Sequence, residues 1–208
     1  MLNTYVVEGG IGKCTAFTAI IPKLAEKAGE AIQVYTPYVD LFAGNPHVRQ
    51  VFDQASIPYS DPRVQQSDDI IFCEPYKSNF LKGKQHLIES YAEILGVSYN
   101  QDTPCLYTEY LKGHADKALS EANIGKFMIV QFTGGQTPVN FDPSNQYASI
   151  DANRNYPFFL AQKLVNQLRE EFPDTTILNY SLPNEPNYEG TTKIQLPYAV
   201  WHEMLKKA

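Results

Sequence analysis

Val6-Val7-Glu8-Gly9-Gly10-Ile11-Gly12-Lys13-Cys14-Thr15 is the stretch of sequence that decides the fold, and it continues the apolar run Leu2–Val7. A short apolar run with β-branched residues predicts a buried strand, which here leads into a glycine-rich turn and then a helix. Glycine allows a positive φ and a close approach of the backbone to a ligand. Because the first N–H groups of a helix have no partner within it, the turn is suited to bind a phosphate or another anion.

This turn opens a unit of strand, helix and strand. Apolar residues recur at spacings of three and four between Thr15 and Ala28, which predicts an amphipathic helix. Gly29 ends the helix, and Ala31–Thr36 is predicted as a second strand. A unit of this kind places its two strands parallel, with a right-handed crossover.

The same alternation continues through the first part of the chain. The polar, proline-containing segment Ser56–Gln66 is predicted as a loop. The other predicted elements are a short helix at Val39–Phe42, strands at Val48–Phe52 and Asp69–Phe72, and helices at Gln85–Leu95 and Tyr110–Ala122.

The pattern restarts near residue 125. A strand at Phe127–Phe132 runs into a second glycine turn, Thr133-Gly134-Gly135-Gln136-Thr137. After a long polar segment come a helix at Pro157–Phe172, a strand at Thr176–Asn179 and a last helix at Tyr198–Lys207. We therefore predict an α/β protein with Rossmann-like domains at residues 1–124 and 125–208. The second has few strands, so we expect it to be incomplete.

Composition narrows the class of protein. The 208 residues are 43% apolar, which fits a packed globular fold, and the formal charge of -6 excludes broad binding to nucleic acid. The three cysteines have no metal-site or disulfide spacing, so we predict reduced thiols, a cytoplasmic location and no metal or cofactor. The chain shows no signal peptide and no apolar run near the roughly 18 residues that span a membrane, which leaves peripheral membrane contact open.

Several short motifs occur in a fixed order between about residue 5 and about residue 180. They are Gly10-Ile11-Gly12, Phe17-Thr18, Ile21-Pro22-Lys23-Leu24, the segment Leu41–Val48 with Val51-Phe52-Asp53, the helix His86–Gly96, the segment Phe127–Gly135, and Asn153-Arg154-Asn155-Tyr156-Pro157 with the helix that follows it. In order and spacing, the chain resembles the heptosyltransferase-like glycosyltransferases of family nine.

This resemblance implies a GT-B architecture of two Rossmann-like domains that face each other across a cleft. The N-terminal domain would take a glycan or lipopolysaccharide-type acceptor, and the C-terminal domain would take the nucleotide sugar. It further implies inverting, metal-independent transfer of a heptose-like sugar or hexose, with a carboxylate of the first glycine turn as the base.

The sequence departs from the family in two places. Lys13 stands where the family has an aspartate, and an ammonium accepts no proton at neutral pH. Glu8 and Asp40 are the nearest candidate carboxylates. The late donor-binding segment of the family is not found before Ala208, so we expect a truncated second domain. These departures keep open an alternative, a GT-B-like module that binds ligands without catalysis.

The first turn also resembles the deviant Walker A motif of partition-type ATPases. In that motif Lys13 would bind the β- and γ-phosphates of ATP. However, Glu8 replaces the signature lysine, and Cys14 replaces the hydroxyl that ligates Mg²⁺. No strand ends in a convincing Walker B aspartate, so the glycosyltransferase is the favoured interpretation.

The predicted site combines both glycine turns. Lys13 opposes the helix dipole and so favours an anionic partner, and Asp40 follows the second strand, where α/β crevices bind ligands. Thr15 and Asp40 have the alternative role of helix caps. The predicted catalytic residues are Lys13, Glu8 and Asp40, the predicted substrate contacts are Gly9, Gly10, Gly12 and Thr15, and the predicted donor contacts are Thr133, Gly134, Gly135, Gln136 and Arg154.

Overall fold

The N-terminal strand lies inside a parallel sheet rather than at its edge. A computed structural model of the protein describes residues 2–77, 79–133, 156–181 and 185–208, and the chain divides into two units, Met1–Tyr110 and Leu111–Ala208. In the first unit, four parallel strands lie in the order β3-β2-β1-β4. They are β1 (Asn3–Val6), β2 (Ile32–Thr36), β3 (Val48–Asp53) and β4 (Asp69–Phe72).

The helix predicted for residues 15–28 is in fact two helices. They are α1 (Ile11–Thr18) and α2 (Ile21–Ala28). Pro22 separates them, because proline has no N–H and its ring clashes with the carbonyl four residues earlier. Gly29 ends α2 in the left-handed conformation, with φ of 74°, as the sequence predicted.

Between β3 and β4 the segment predicted as loop contains a helical turn. Asp61 accepts a hydrogen bond from the backbone N–H of Arg63 and caps α3 (Pro62–Gln65). His86 caps α4 (Leu87–Leu95) by accepting from the N–H of Ile88 at 3.3 Å. Short 3-10 helices lie at Val39–Leu41, Pro75–Lys77, Asn79–Lys82 and Glu109–Leu111.

Side chains pack on both faces of the first sheet. On one face, Phe17 of α1 lies with ring centroids 6.1 Å from Tyr5, 6.3 Å from Phe42 and 5.3 Å from Tyr91. The opposite face carries a buried cluster of Val6, Tyr35, Phe52 and Val64. Adjacent residues of β1 thus point to opposite layers, which is the alternation of a strand buried on both sides.

The second unit has a smaller parallel sheet in the order β5-β6-β7. Its core joins Trp201 and Met204 to Ala115, so the helix that contains Ala115 belongs to this unit. The division falls between Tyr110 and Leu111 rather than at the predicted residue 125. The elements are α5 (Lys112–Glu121), β5 (Phe127–Val130), α6 (Phe158–Glu171), β6 (Thr176–Asn179), β7 (Thr192–Lys193) and α7 (Tyr198–Leu205). None of the helices described is long and apolar enough to cross a membrane.

Candidate functional site

The first glycine turn joins β1 directly to α1. Gly9 has a φ of 101°, and Gly10 is the extended residue immediately before the helix. A Cβ atom on Gly9 would lie 3.1 Å from Cδ of Lys13, whereas a Cβ on Gly10 or Gly12 would meet nothing within 4 Å. The turn therefore needs glycine at Gly9, and it leaves open space beside Gly10 and Gly12.

Lys13 reaches the end of a different strand. Its side chain is only 5% exposed, and Nζ lies 2.8 Å from Oε2 of Glu74, two residues after β4. The same ammonium lies 5.0 Å from the ring centroid of Tyr76. Because an ammonium has no lone pair to accept a proton, Lys13 in this arrangement fixes the turn against β4 rather than serving as a base.

Glu8 is held by two donors on a single oxygen. Oε1 accepts from Nε2 of Gln54 at 2.7 Å and from the hydroxyl of Tyr59. Oε2 receives no hydrogen bond from any residue of the described ranges. One oxygen thus orients the carboxylate, and the other is left to accept a proton or a hydroxyl group.

Tyr59 is itself fixed by a ring stack. Its centroid lies 4.4 Å from that of Tyr35 with 23° between the planes, and the Tyr35 hydroxyl donates to the carbonyl of Ile57 at 2.6 Å. Burial, the hydrogen bond to Glu8 and the charge of Glu8 all raise the pKa of Tyr59. The phenol therefore remains a donor to Glu8 throughout the neutral range.

The structure does not bring Asp40 to these groups. Asp40 is exposed in the 3-10 helix Val39–Leu41. The pKa of Tyr110 is raised first by the burial of Tyr110 and second by the charge of Asp40. In the part of the chain that the structure describes, Asp40 forms no hydrogen bond or ion pair with Lys13 or Glu8. The side chain of Asp40 does not cap the 3-10 helix either.

Thr15 lies within α1 rather than at its start, so the predicted capping role is wrong. The helix begins four residues earlier, at Ile11, because the glycine turn is shorter than the sequence suggested. Oγ1 of Thr15 is buried and has no hydrogen-bond partner among the residues described.

Cys14 faces the core of the first unit, which disfavours the P-loop alternative. Its thiol donates to the carbonyl of Val7 at 3.6 Å and accepts from Oγ1 of Thr36 at 3.9 Å. Burial raises the pKa of the thiol. A buried, protonated thiol is a poor ligand for Mg²⁺, and the neighbouring Lys13 is already paired with a carboxylate.

The second glycine turn is described only at its start. Thr133 is buried, and its carbonyl accepts from Nε2 of Gln131 at 3.1 Å. Oγ1 of Thr133 is buried without a hydrogen-bond partner within the described segments. The other predicted donor contacts, Gly134, Gly135, Gln136 and Arg154, lie outside the described residues.

Sequence reasoning missed the residues that hold Lys13 and Glu8. They are Glu74, Tyr76, Gln54 and Tyr59. A signal for two of them was present, because Gln54 and Glu74 follow strands within two residues, and parallel strands bring their carboxyl ends to one edge of the sheet. Across the described ranges, no group of three His, Cys, Asp or Glu residues is placed to hold a metal ion.

Comparison with known proteins finds solved structures with a similar fold. No protein-family model matches the chain, and no curated protein matches it. The glycosyl transferase family 9 structure from Veillonella parvula matches with a TM-score of 0.60 and 10% identity, over 97% of this chain and 72% of that one. TibC, an iron-containing dodecameric glycosyltransferase from enterotoxigenic E. coli, matches with a TM-score of 0.58 and 11% identity, over 100% and 51%. The E. coli heptosyltransferase WaaC with ADP matches with a TM-score of 0.52 and 12% identity, over 98% and 78%.

These matches confirm the predicted resemblance at the level of the fold. The chain has an α/β fold with parallel sheets flanked by helices, as in GT-B-type glycosyltransferases. It spans between 51% and 78% of the length of the three structures. At 10% to 12% identity, the similarity shows the fold and does not identify a substrate.

Proposed function

We propose that the protein is a glycosyltransferase that moves a heptose-like sugar or hexose from a nucleotide-sugar donor to a glycan or lipopolysaccharide-type acceptor. The first unit takes the acceptor, and the second takes the donor. All three similar structures are described as glycosyltransferases, and one of them is a heptosyltransferase with ADP. The three free thiols support a reaction in the cytoplasm.

The observation that carries this proposal is the carboxylate of Glu8. It follows β1 at the carboxyl edge of the first sheet, where α/β folds bind their ligands. Two hydrogen bonds to Oε1 orient it, while no described donor reaches Oε2. Glu8 thus supplies the base that the family's aspartate would supply at the position of Lys13.

The proposed reaction is inverting and independent of metal. Oε2 of Glu8 accepts the proton of the acceptor hydroxyl as that oxygen attacks the anomeric carbon of the donor. The bond from this carbon to the diphosphate breaks, and the nucleoside diphosphate leaves with the electron pair. The exposed glycines Gly10 and Gly12 let the acceptor approach the turn, while Lys13 holds the turn to β4 through Glu74.

The donor site remains a prediction from the sequence. Thr133 places a buried hydroxyl without a described partner at the second turn, which supports a contact there. Arg154 and the residues Gly134, Gly135 and Gln136 are proposed to bind the diphosphate, because backbone N–H groups and a guanidinium neutralise phosphate charge.

A coupled assay for nucleoside diphosphate release tests the proposal. The donors are ADP-, UDP- and GDP-hexoses and ADP-heptose, the acceptors are core oligosaccharides of lipopolysaccharide, and each reaction is run with and without EDTA. We expect one donor to turn over equally in EDTA, and Glu8→Gln to lower kcat by roughly 10² to 10⁴. The matched control is Glu121→Gln, because that carboxylate is 68% exposed on α5.

Three outcomes would contradict the proposal in different ways. Donor binding in a thermal-shift assay without any transfer would indicate the non-catalytic binding module. Hydrolysis of Mg²⁺–ATP that Lys13→Ala abolishes would indicate the P-loop alternative. Transfer that survives Glu8→Gln would remove Glu8 from the chemistry.

A further inference from the structure

One aromatic side chain of the first sheet is left uncovered in a row that is otherwise buried. The strand register aligns Phe52, Tyr35, Val6 and Phe72 across the four strands. Residues in register on parallel strands point to the same face. The first three members are at most 2% exposed, whereas Phe72 is 63% exposed.

The side chains that pack over this row extend as far as Tyr59. Val64, Ile57 and Tyr59, all from the connection between β3 and β4, pack on the buried members. The ring of Tyr59 stacks on Tyr35 and lies 5.8 Å from that of Phe72, with 49° between the planes. One edge of Phe72 is therefore supported by protein, and the rest of its ring faces solvent.

The exposed ring and the oriented carboxylate contact the same side chain, that of Tyr59. Glu8 is two residues beyond Val6, the register partner of Phe72, and its Oε1 accepts from the hydroxyl of Tyr59. Phe72 and Glu8 thus share Tyr59 as a neighbour. An apolar ring next to a carboxylate and the amide of Gln54 combines a flat contact surface with hydrogen-bonding groups, as in sites for small polar ligands.

We infer that Phe72 is a stacking platform for the sugar ring of the acceptor, an assignment that rests on the proposed function. One face of a pyranose is formed largely by C–H groups, whose partial positive charge is attracted to the electron-rich face of an aromatic ring. With that face on Phe72, the hydroxyl groups at the rim of the sugar lie toward Oε2 of Glu8. The platform therefore binds the acceptor and presents a hydroxyl to the base.

The charges around the ring select an uncharged sugar. Glu8 follows the end of β1 by two residues, and Glu74 follows the end of β4, the strand of Phe72, by two residues. The ammonium of Lys13 is paired with Glu74 and so leaves the charge of Glu8 uncompensated by it. The base of a nucleotide would also stack on Phe72, but the phosphates of that nucleotide would be repelled by these carboxylates. A neutral acceptor sugar meets no such repulsion.

Saturation-transfer NMR with simple glycosides tests the platform without requiring transfer. The probes are the methyl glycosides of glucose, galactose, mannose and L-glycero-D-manno-heptose, with AMP and UMP as stacking ligands that carry charge. We expect one glycoside to receive saturation at the C–H groups of a single face. Phe72→Ala should weaken its binding by roughly threefold to tenfold, as expected for one aromatic contact.

Three further variants separate stacking from general apolar contact. Phe72→Trp should retain or strengthen binding, and Phe72→Leu should lose it although the site remains apolar. Leu81→Ala should have no effect, because Leu81 is equally prominent in the same unit, at 69% exposure, but is not placed beside Glu8. All four variants are first compared with the wild type by circular dichroism.

The outcomes distinguish this inference from the proposed function. Binding that is absent in the wild type, equal in Phe72→Ala, or seen only for AMP or UMP would overturn the platform. If transfer occurs and the acceptor KM is unchanged in Phe72→Ala, the platform fails while the glycosyltransferase stands. If glycosides bind through Phe72 but no nucleotide sugar turns over, the sugar site stands and the transferase fails.

Discussion

The ammonium of Lys13 and the carboxylate of Glu74 form an ion pair of 2.8 Å across 61 residues of sequence. The pair is asymmetric, because the side chain of Lys13 is 5% exposed and that of Glu74 is 42% exposed. It connects the first turn of α1, which follows the glycine turn, with the segment that follows β4. Its removal therefore bears on the stability of the turn and on the site together.

Removing the carboxylate of this pair should destabilise the protein more than removing the ammonium. Glu74→Ala leaves a buried charge without its partner, which should lower the free energy of unfolding by about 1 to 3 kcal/mol. Lys13→Met keeps the packing and leaves a carboxylate that water can reach, so its effect should be smaller. Urea unfolding measures both, with Glu121→Ala as the exposed control. Equal effects of Glu74→Ala and Glu121→Ala would show that the buried pair contributes nothing.

The turn should tolerate a methyl group at one glycine but not at its neighbour. Gly9→Ala forces an L-residue to a φ of 101° and places Cβ 3.1 Å from Cδ of Lys13, so we expect a loss of about 1 to 3 kcal/mol. At Gly10 the backbone φ is -74° and an added Cβ would meet open space. Gly10→Ala should therefore lower the free energy of unfolding by much less than Gly9→Ala. Thermal unfolding of the two variants compares them directly. A Gly10→Ala variant as unstable as Gly9→Ala would contradict this account of the turn.

Ionisation of Tyr59 should report the charge of Glu8. The nearby carboxylate raises the pKa of Tyr59 by its charge and by accepting the phenolic proton in a hydrogen bond. Glu8→Gln removes the charge, so Tyr59 should ionise at a lower pH than in the wild type. Ultraviolet titration of tyrosinate measures the change. As the control, adding Glu8→Gln to the Tyr59→Phe variant should leave the titration curve unchanged. An unchanged titration curve in Glu8→Gln would mean that the two groups are apart in solution.

Stability should fall at alkaline pH because two thiols are buried. Burial raises the pKa of Cys73 to about 12 and also raises that of Cys14, so both stay protonated in the folded chain after an unfolded chain has begun to lose these protons. Above a pH of about 8.5, the unfolding free energy should therefore decrease, by up to about 1.4 kcal/mol per pH unit for each thiol. Cys73→Ala should make the decrease shallower, whereas Cys105→Ala, at an exposed position, should not. Urea unfolding at several pH values measures the slope, and a slope independent of Cys73 would refute the prediction.

Local signals in the sequence were sufficient for most of the first sheet. The glycine turn, the parallel strands and the bounds of β4 and β6 follow from short apolar runs and their punctuation by glycine. The break at Pro22 was missed because the apolar spacing runs through it without interruption. Here the geometry of one proline ring outweighed the periodicity of the segment.

The site itself was predicted only in part, because its contacts are long-range. Glu8 and Lys13 were singled out from the turn, but their partners Tyr59 and Glu74 lie 51 and 61 residues away. The position of Glu74 after β4 indicated the right edge of the sheet, but nothing local in the sequence identified Lys13 as its partner. Asp40 shows the converse, since its position after a strand indicated a site that the structure does not join to Glu8.

The strand order β3-β2-β1-β4 also constrains how the chain can form its first unit. Because β1 pairs with both β2 and β4, the strand that precedes the other three along the chain is the one on which both halves of the sheet depend. During translation the β1–β2–β3 layer can assemble first, but the hydrogen bonds along the other side of β1 wait for residues 69–72 to emerge. The sheet edge around Glu8 is thus complete only after β4 docks, and deletion of β1 would separate β4 from every other strand of its sheet.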